Sequence, residues 1–243
     1  MTNSRGRIAL VGSGEYTPAM QSVEEMLIRD GVAAGKREIF VQIPLGAGQE
    51  SAERIDYWRT LGKQQADRIG VEQAFLPILN SDDATNTDYA DLIESAALVY
   101  FSGGDPRYLA ESLGGTAVAD ALRRAHESGS SIAGCSAGAM ALGPTVPHVR
   151  GLPHHRTTGL SIVPDIEVLP HYDKYFRFVS DAWMHALLAN DGGAFILGID
   201  ENTALVSLEN NDWQVHGHGK VHVLKGGETA SYPAGMCLTL VRG

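Results

Sequence analysis

The chain has little cysteine, a shortage of positive charge and no long apolar run. Two cysteines, Cys135 and Cys237, among 243 residues exclude a scaffold built on disulfides. Lys and Arg number 19 against 29 Asp and Glu, a formal net charge of −10. That balance argues against a general nucleic-acid binder, which needs a basic face. No segment approaches the roughly 18 apolar residues of a membrane-spanning helix. The opening MTNSRGRIALVGSG lacks the charged, apolar and cleavage regions of a signal peptide. The expectation is a soluble, cytoplasmic protein with neither nucleic-acid nor membrane partners. A full G-x-G-x-x-G is also missing. Gly12-Ser13-Gly14-Glu15 follows the first apolar run, but Pro18 and Ala19 come next, so it reads as a turn lining a cleft and no cofactor is expected. Glycine, by contrast, is plentiful at 28 residues, which points to tight turns and close backbone approaches. Hydrophobic residues make up 44%, enough for a core, and the length suits a single domain over 1–243.

Apolar, β-prone runs alternate with helical patterns through the first two thirds. Strands are predicted over 8–11, 38–43, 73–79, 98–101 and 131–134. Helices are predicted over 20–34, 51–69, 87–95, 106–113 and 118–128, with another from 137. Strands without polar alternation, separated by helices, imply a parallel sheet covered on both faces, with ligands at the carboxyl ends of strands. Later, short runs at 194–199, 204–208, 214–218, 221–224 and 236–241 predict an antiparallel extension of the same sheet. A long helix is expected over 175–188. The fold class is α/β: three layers, with a mostly parallel sheet flanked by helices.

Gly134-Cys135-Ser136-Ala137-Gly138 is a G-x-S-x-G string between an apolar strand and a helical pattern, the context of a nucleophile elbow. Ser136 is the candidate nucleophile, and the N–H of Ala137 a candidate oxyanion donor. Cys135 has the phase of a residue pointing into the sheet and reads as a buried small hydrophobe; it is also the rival nucleophile. The sequence has 9 histidines, and residue type alone does not choose a base among them. His171 lies just beyond a short apolar strand. His126, in a charged helix, reads as solvated. His216, His218 and His222 share parity on two late strands, but no Cys, Asp or Glu completes a metal site at typical spacing, so no metal is expected. Glu201 follows the apolar run 195–199 and is the best carboxylate to hold a histidine tautomer, although Asp200 and Glu201 also read as plain turn residues. The order serine, histidine, acid differs from the serine, acid, histidine order of α/β-hydrolases.

Four strings occur in order: FSGGDP at 101–106, GCSAGA at 134–139, LPHY at 169–172 and GIDENTAL at 198–205. Together they resemble the cyanophycinase and aspartyl dipeptidase (peptidase E) family of serine peptidases, whose fold is like that of class I glutamine amidotransferases. The resemblance implies Ser136 as nucleophile, His171 as general base, Glu201 as third triad member and Gly104 as the oxyanion donor beside Ala137. It also implies a homodimer, and an acyl-enzyme route for hydrolysing small aspartyl or β-aspartyl peptides. Asp105 either touches substrate, orients its loop or caps a helix. A substrate carboxylate beside the scissile bond calls for a cation. Arg156, Lys174 and Arg177 are the candidates, with a plain helix surface as the other reading of Lys174 and Arg177. The chain departs from the family at Asp173-Lys174-Tyr175-Phe176-Arg177, where cyanophycinase is richer in arginine and the dipeptidases carry a longer insert. Three other readings stand beside this one: a non-catalytic binding protein with an idle site, an amide hydrolase acting through Cys135, and a metal-dependent hydrolase using His216, His218 and His222.

Overall fold

The structure is a computed structural model that describes residues 5–148, 155–176, 179, 181–188, 193–208, 211–225 and 228–241. The first part alternates strand and helix: β1 (Ile8–Val11), α1 (Gln21–Ala33), β2 (Arg37–Ile43), α2 (Ala52–Ile69), β3 (Glu72–Phe75), α3 (Ser81–Ala84), α4 (Ala90–Ser95), β4 (Ala96–Phe101), α5 (Pro106–Leu113), α6 (Ala117–Glu127), β5 (Ser131–Cys135) and α7 (Ala137–Leu142). The remainder comprises β6 (Thr145–Pro147), β7 (Arg156–Thr158), β8 (Ile166–Pro170), α8 (Tyr172–Tyr175), α9 (Asp181–Leu188), β9 (Phe195–Ile199), β10 (Thr203–Ser207), β11 (Asp212–Gly217), β12 (Lys220–Lys225), β13 (Glu228–Pro233) and β14 (Cys237–Thr239).

An eight-stranded sheet runs β14-β11-β10-β1-β5-β4-β2-β3. Strands β1, β5, β4, β2 and β3 are parallel, and β10, β11 and β14 extend the sheet antiparallel from β1. Side chains alternate between two cores, as the period of a strand requires. Ile8 and Leu10 face the helices α5, α6 and α7 with Val99, Phe101 and Ile132. Ala9 and Val11 face α1 and α2 with Leu98, Tyr100, Ala133 and Cys135.

The late strands correct the expected single extension. Only β10, β11 and β14 join the large sheet, whereas β9 and β12 belong to a second sheet of order β13-β12-β9-β8. The cause is the tight turn between β9 and β10. Asn202 adopts φ 52° there, and the chain passes from one sheet into the other. Strand periodicity does not register such a switch. Three smaller differences are local. β3 ends at Phe75, before Pro77, which cannot donate to a ladder. The helix expected over 87–95 opens as a 3₁₀ turn capped by Asn86 and becomes α-helical at Ala90. The helix expected over 175–188 is two, α8 and α9. Among the described residues, no helix is long and apolar enough to cross a membrane.

Glu24 is an acid inside the α1 face of the core. Its carboxyl accepts from the Tyr16 N–H at 3.0 Å and from the side-chain amide of Gln65. Burial nevertheless dominates, pushing its pKa up to about 8. An acid with a raised native pKa holds its proton in the fold while the unfolded chain, near 4.5, has lost it. Glu24's contribution to stability is therefore full below about pH 4.5 and falls as pH rises towards 8. The expected slope approaches about 1.4 kcal/mol per pH unit for one proton. Denaturant melts between pH 5 and 8 should show it in the wild type, and Glu24→Gln should flatten it. Equal slopes in the two proteins would remove Glu24 as the cause.

Candidate active site

The elbow forms where β5, buried along its whole length between β1 and β4, turns into α7. Its glycines are required by contact. A Cβ on Gly134 would lie 2.4 Å from the Gly138 carbonyl carbon, and one on Gly138 would lie 2.7 Å from the Phe101 oxygen. Between them, Ser136 adopts φ 49° and ψ −106°, a conformation disfavoured for a residue with a side chain. Its N–H is held by the Val11 carbonyl at 2.9 Å. The side chain is thereby carried out of the sheet, where it is half-buried.

The loop after β4 lies alongside. A Cβ on Gly103 would be 3.8 Å from Ser136 Cβ. Gly104 has φ 136°, and a Cβ there would sit 2.1 Å from the Gly46 carbonyl oxygen. Only glycine fits this position. Among the described residues, neither the Gly104 N–H nor the Ala137 N–H has a hydrogen-bond partner. Asp105 serves as the cap of α5, accepting from the N–H groups of Arg107 at 2.8 Å and Tyr108 at 3.0 Å.

His171 and Glu201 come from the second sheet. Strands β8 and β9 are parallel, with Pro170 opposite Ile199, so the residues that follow each strand emerge at one edge. His171 turns there with φ 51°. Its Nε2 lies 3.1 Å from Ser136 Oγ, and its Nδ1 lies 3.0 Å from Glu201 Oε1. A carboxylate only accepts, so Nδ1 carries the proton and Nε2 of the neutral ring is left to accept from the serine hydroxyl. The hydrogen bond from His171 holds the Glu201 carboxyl below the usual carboxylate range, and Lys174 adds to this. The first turn of α8 clamps the acid from the other side. Asp173 Oδ1 accepts from the Glu201 N–H at 3.0 Å, and Lys174 Nζ donates to Glu201 Oε1 at 3.2 Å.

The candidates for a substrate cation separate. Lys174 stands at this site, paired with Glu201. Arg156 is occupied: its Nε donates to both oxygens of Glu167 at 3.2 Å and its Nη2 to the Leu187 carbonyl at 2.9 Å. Its charge is thus already matched by a buried carboxylate. Arg177 lies outside the described residues.

The late histidines do not gather. His216 stands on β11 in the large sheet and His222 on β12 in the second sheet, so shared parity does not bring them together. His222 instead bridges Asp200 Oδ1 at 3.0 Å and Ser231 Oγ at 2.8 Å, with the Tyr172 ring 4.6 Å from its own. His126, expected in solvent, has a buried Nδ1 without a partner among the described residues, and burial lowers its pKa. Among the described residues, no three His, Cys, Asp or Glu are grouped to hold a metal ion. Sequence reasoning missed the supporting residues Glu15, Asp173, Asp200 and His222. The signal for Glu15 was present, a carboxylate in a glycine turn at the end of a parallel strand.

The sequence profile of peptidase family S51 matches residues 8–215. The chain belongs to peptidase family S51. It is a serine peptidase, and its Ser136 pentapeptide lies within the matched segment. A crystal structure of a peptidase from an acI-B1 Actinobacterium is 46% identical, covers 98% of both chains and superposes with a TM-score of 0.92. A putative peptidase E protein from Listeria monocytogenes EGD-e is 16% identical over 95% of this chain and 99% of its own, with a TM-score of 0.56. That likeness concerns the fold, the class I glutamine amidotransferase-like arrangement of a mostly parallel sheet between helices. No curated protein matches the sequence.

In this S51 peptidase, Cys135 is fully buried and its Sγ–H donates to Glu15 Oε2 at 2.7 Å. Burial first, and then Glu15, push the thiol well above its ordinary pKa. A protonated, enclosed thiol is a poor nucleophile. Cys237 is exposed. Iodoacetamide at pH 8 should therefore alkylate Cys237 in the folded protein and leave Cys135 unmodified by peptide mass mapping. Equal labelling of both would reinstate Cys135 as a reactive group.

Proposed function

We propose that this serine peptidase hydrolyses small aspartyl or β-aspartyl peptides through Ser136, His171 and Glu201. The observation that carries the reading is the unbroken chain of hydrogen-bond contacts from Ser136 Oγ to His171 Nε2 at 3.1 Å and from His171 Nδ1 to Glu201 Oε1 at 3.0 Å. His171 Nε2 takes the hydroxyl proton as Oγ attacks the peptide carbonyl carbon. The carbonyl oxygen becomes an oxyanion that accepts from the N–H groups of Ala137 and Gly104. Glu201 stabilises the imidazolium formed at His171. The C–N bond then breaks, His171 returns the proton to the leaving amine, and an acyl ester remains on Ser136. Water, deprotonated by the same imidazole, hydrolyses that ester and restores the serine.

The aspartyl preference draws on the resemblance of the four ordered motifs, with Lys174 as the cation beside the triad. Lys174 donates to Glu201 in the free site, and a substrate carboxylate would compete for the same ammonium.

Two measurements test this reading. A fluorophosphonate should form an adduct on Ser136, and Ser136→Ala should abolish both labelling and hydrolysis. His171→Ala should lower kcat by about 10⁵–10⁶-fold, and Glu201→Gln by a smaller factor of about 10³–10⁴, since it disturbs charge and orientation without removing the base. An unlabelled wild-type serine would leave an idle binding site instead. For specificity, a panel of Asp-X, β-Asp-X, Ala-X and Leu-X dipeptides should show kcat/KM at least about tenfold higher for the acidic members, the difference made by one charge-assisted contact. Equal values across the panel would remove the acidic preference while leaving the peptidase chemistry intact.

A further inference from the structure

We propose that Glu15 is a positioning residue for oxyanion stabilisation, holding the Gly104 arm of the oxyanion site and the elbow strand just before Ser136 from below; this rests on the Ala137 and Gly104 reading above. Glu15 ends the Gly12-Ser13-Gly14-Glu15 turn after β1. Strand β1 runs beside the elbow strand with Val11 opposite Cys135, so the turn delivers Glu15 to the base of the site. The residue is 8% exposed. Oε1 accepts from the Gly103 N–H at 3.0 Å, and Oε2 accepts from Cys135 Sγ–H at 2.7 Å. Each donor directly precedes a working residue: Gly103 comes before Gly104, and Cys135 before Ser136.

Freedom in the β4 loop is what makes this bond consequential. The peptide plane that carries the Gly104 N–H is joined to the preceding plane only through the φ and ψ of Gly103. Two successive glycines have more backbone freedom than any other pair. On one side, the Glu15 carboxyl fixes the Gly103 N–H. On the other, the Asp105 N–H is held by the Gly46 carbonyl at 2.7 Å, and the Asp105 side chain caps α5. The plane between is held at both ends and leaves the Gly104 N–H unspent. Space agrees with this arrangement. A Cβ on Gly103 would lie 3.1 Å from Glu15 Oε1 and 3.8 Å from Ser136 Cβ, so the carboxyl sits tight between loop and elbow. Cys135 completes the device as a thiol kept protonated and able to donate. Donors that need no reorganisation at the moment of reaction are the ones that stabilise an oxyanion strongly.

The test uses the full-length enzyme, the fastest dipeptide of the panel above, the fluorophosphonate labelling rate of Ser136, and inhibition by phenylboronic acid, which forms a tetrahedral adduct on an active serine. Glu15→Ala should lower kcat by about 10²–10³-fold, as for loss of an oxyanion donor, with KM within about threefold. Labelling rate and boronate affinity should fall alongside kcat. Glu15→Gln keeps an Oε1 acceptor for the Gly103 N–H and should recover activity to within about tenfold of wild type. A mere staple of the fold would lower Tm in both variants without this kcat and boronate signature. Wild-type kcat in a folded Glu15→Ala, or a kcat loss with boronate affinity unchanged, overturns the proposal. Should Glu15→Ala not fold, Cys135→Ala carries the same readouts: a kcat loss of about tenfold at constant KM supports the tether, and wild-type kcat overturns it. Hydrolysis that survives Ser136→Ala would overturn the serine mechanism itself and Glu15's role with it. An active, labelled wild type with an unaffected Glu15→Ala removes only the latter.

Discussion

Ser136 sits at φ 49°, a backbone state that costs of order 1–3 kcal/mol for a residue with a side chain and persists only where the surroundings over-determine it. The large sheet supplies those surroundings. Strand β1 holds the serine N–H through the Val11 carbonyl, β4 walls the other side, and α7 leaves at once in a direction that Gly134 and Gly138 alone permit. The hydroxyl is the side chain that the strand cannot keep. A serine at an ordinary strand position would point into one of the two cores, as Cys135 does.

The opposite half of the site depends on a different sheet. His171 also adopts a left-handed backbone, at φ 51°, so two strained residues face each other across the gap between sheets. The imidazole is aimed because β8 and β9 share a parallel register that brings residues 171 and 201 to one edge. The first turn of α8 then clamps Glu201 through Asp173 and Lys174. Behind this, the Asp200–His222 contact and the Tyr172 ring join the immediate neighbours of both residues. Gly198 admits that ring, since a Cβ there would lie 2.3 Å from it. The site is held by backbone register and turn chemistry more than by depth: Glu201 keeps about a third of its side chain exposed, at 32%.

Much of the parallel half was legible because apolar runs and helical periods are local properties. The central strands are buried on both faces and read as continuous apolar segments. Ser136, His171 and Glu201 are legible as candidates because ordered motifs mark strand ends, where parallel sheets collect function. What is not legible shares a cause. The late strands read as one sheet because period two is the same in either sheet. His216 and His222 share strand parity, and parity does not disclose that their strands lie in different sheets. Arg156 reads as a free cation in the sequence because charge alone does not disclose a buried partner such as Glu167.

The amino-acid sequence by itself determined the class of fold, the elbow and its glycines, and the candidate serine at its centre, because each rests on patterns a few residues wide. Only the tertiary structure decided which histidine the serine meets, which carboxylate that histidine meets, and how Glu15 comes to lie beneath them. Those contacts join residues 30 to 120 positions apart. Their geometry is set by strand register and the crossing from one sheet to the next, which no short window of sequence contains.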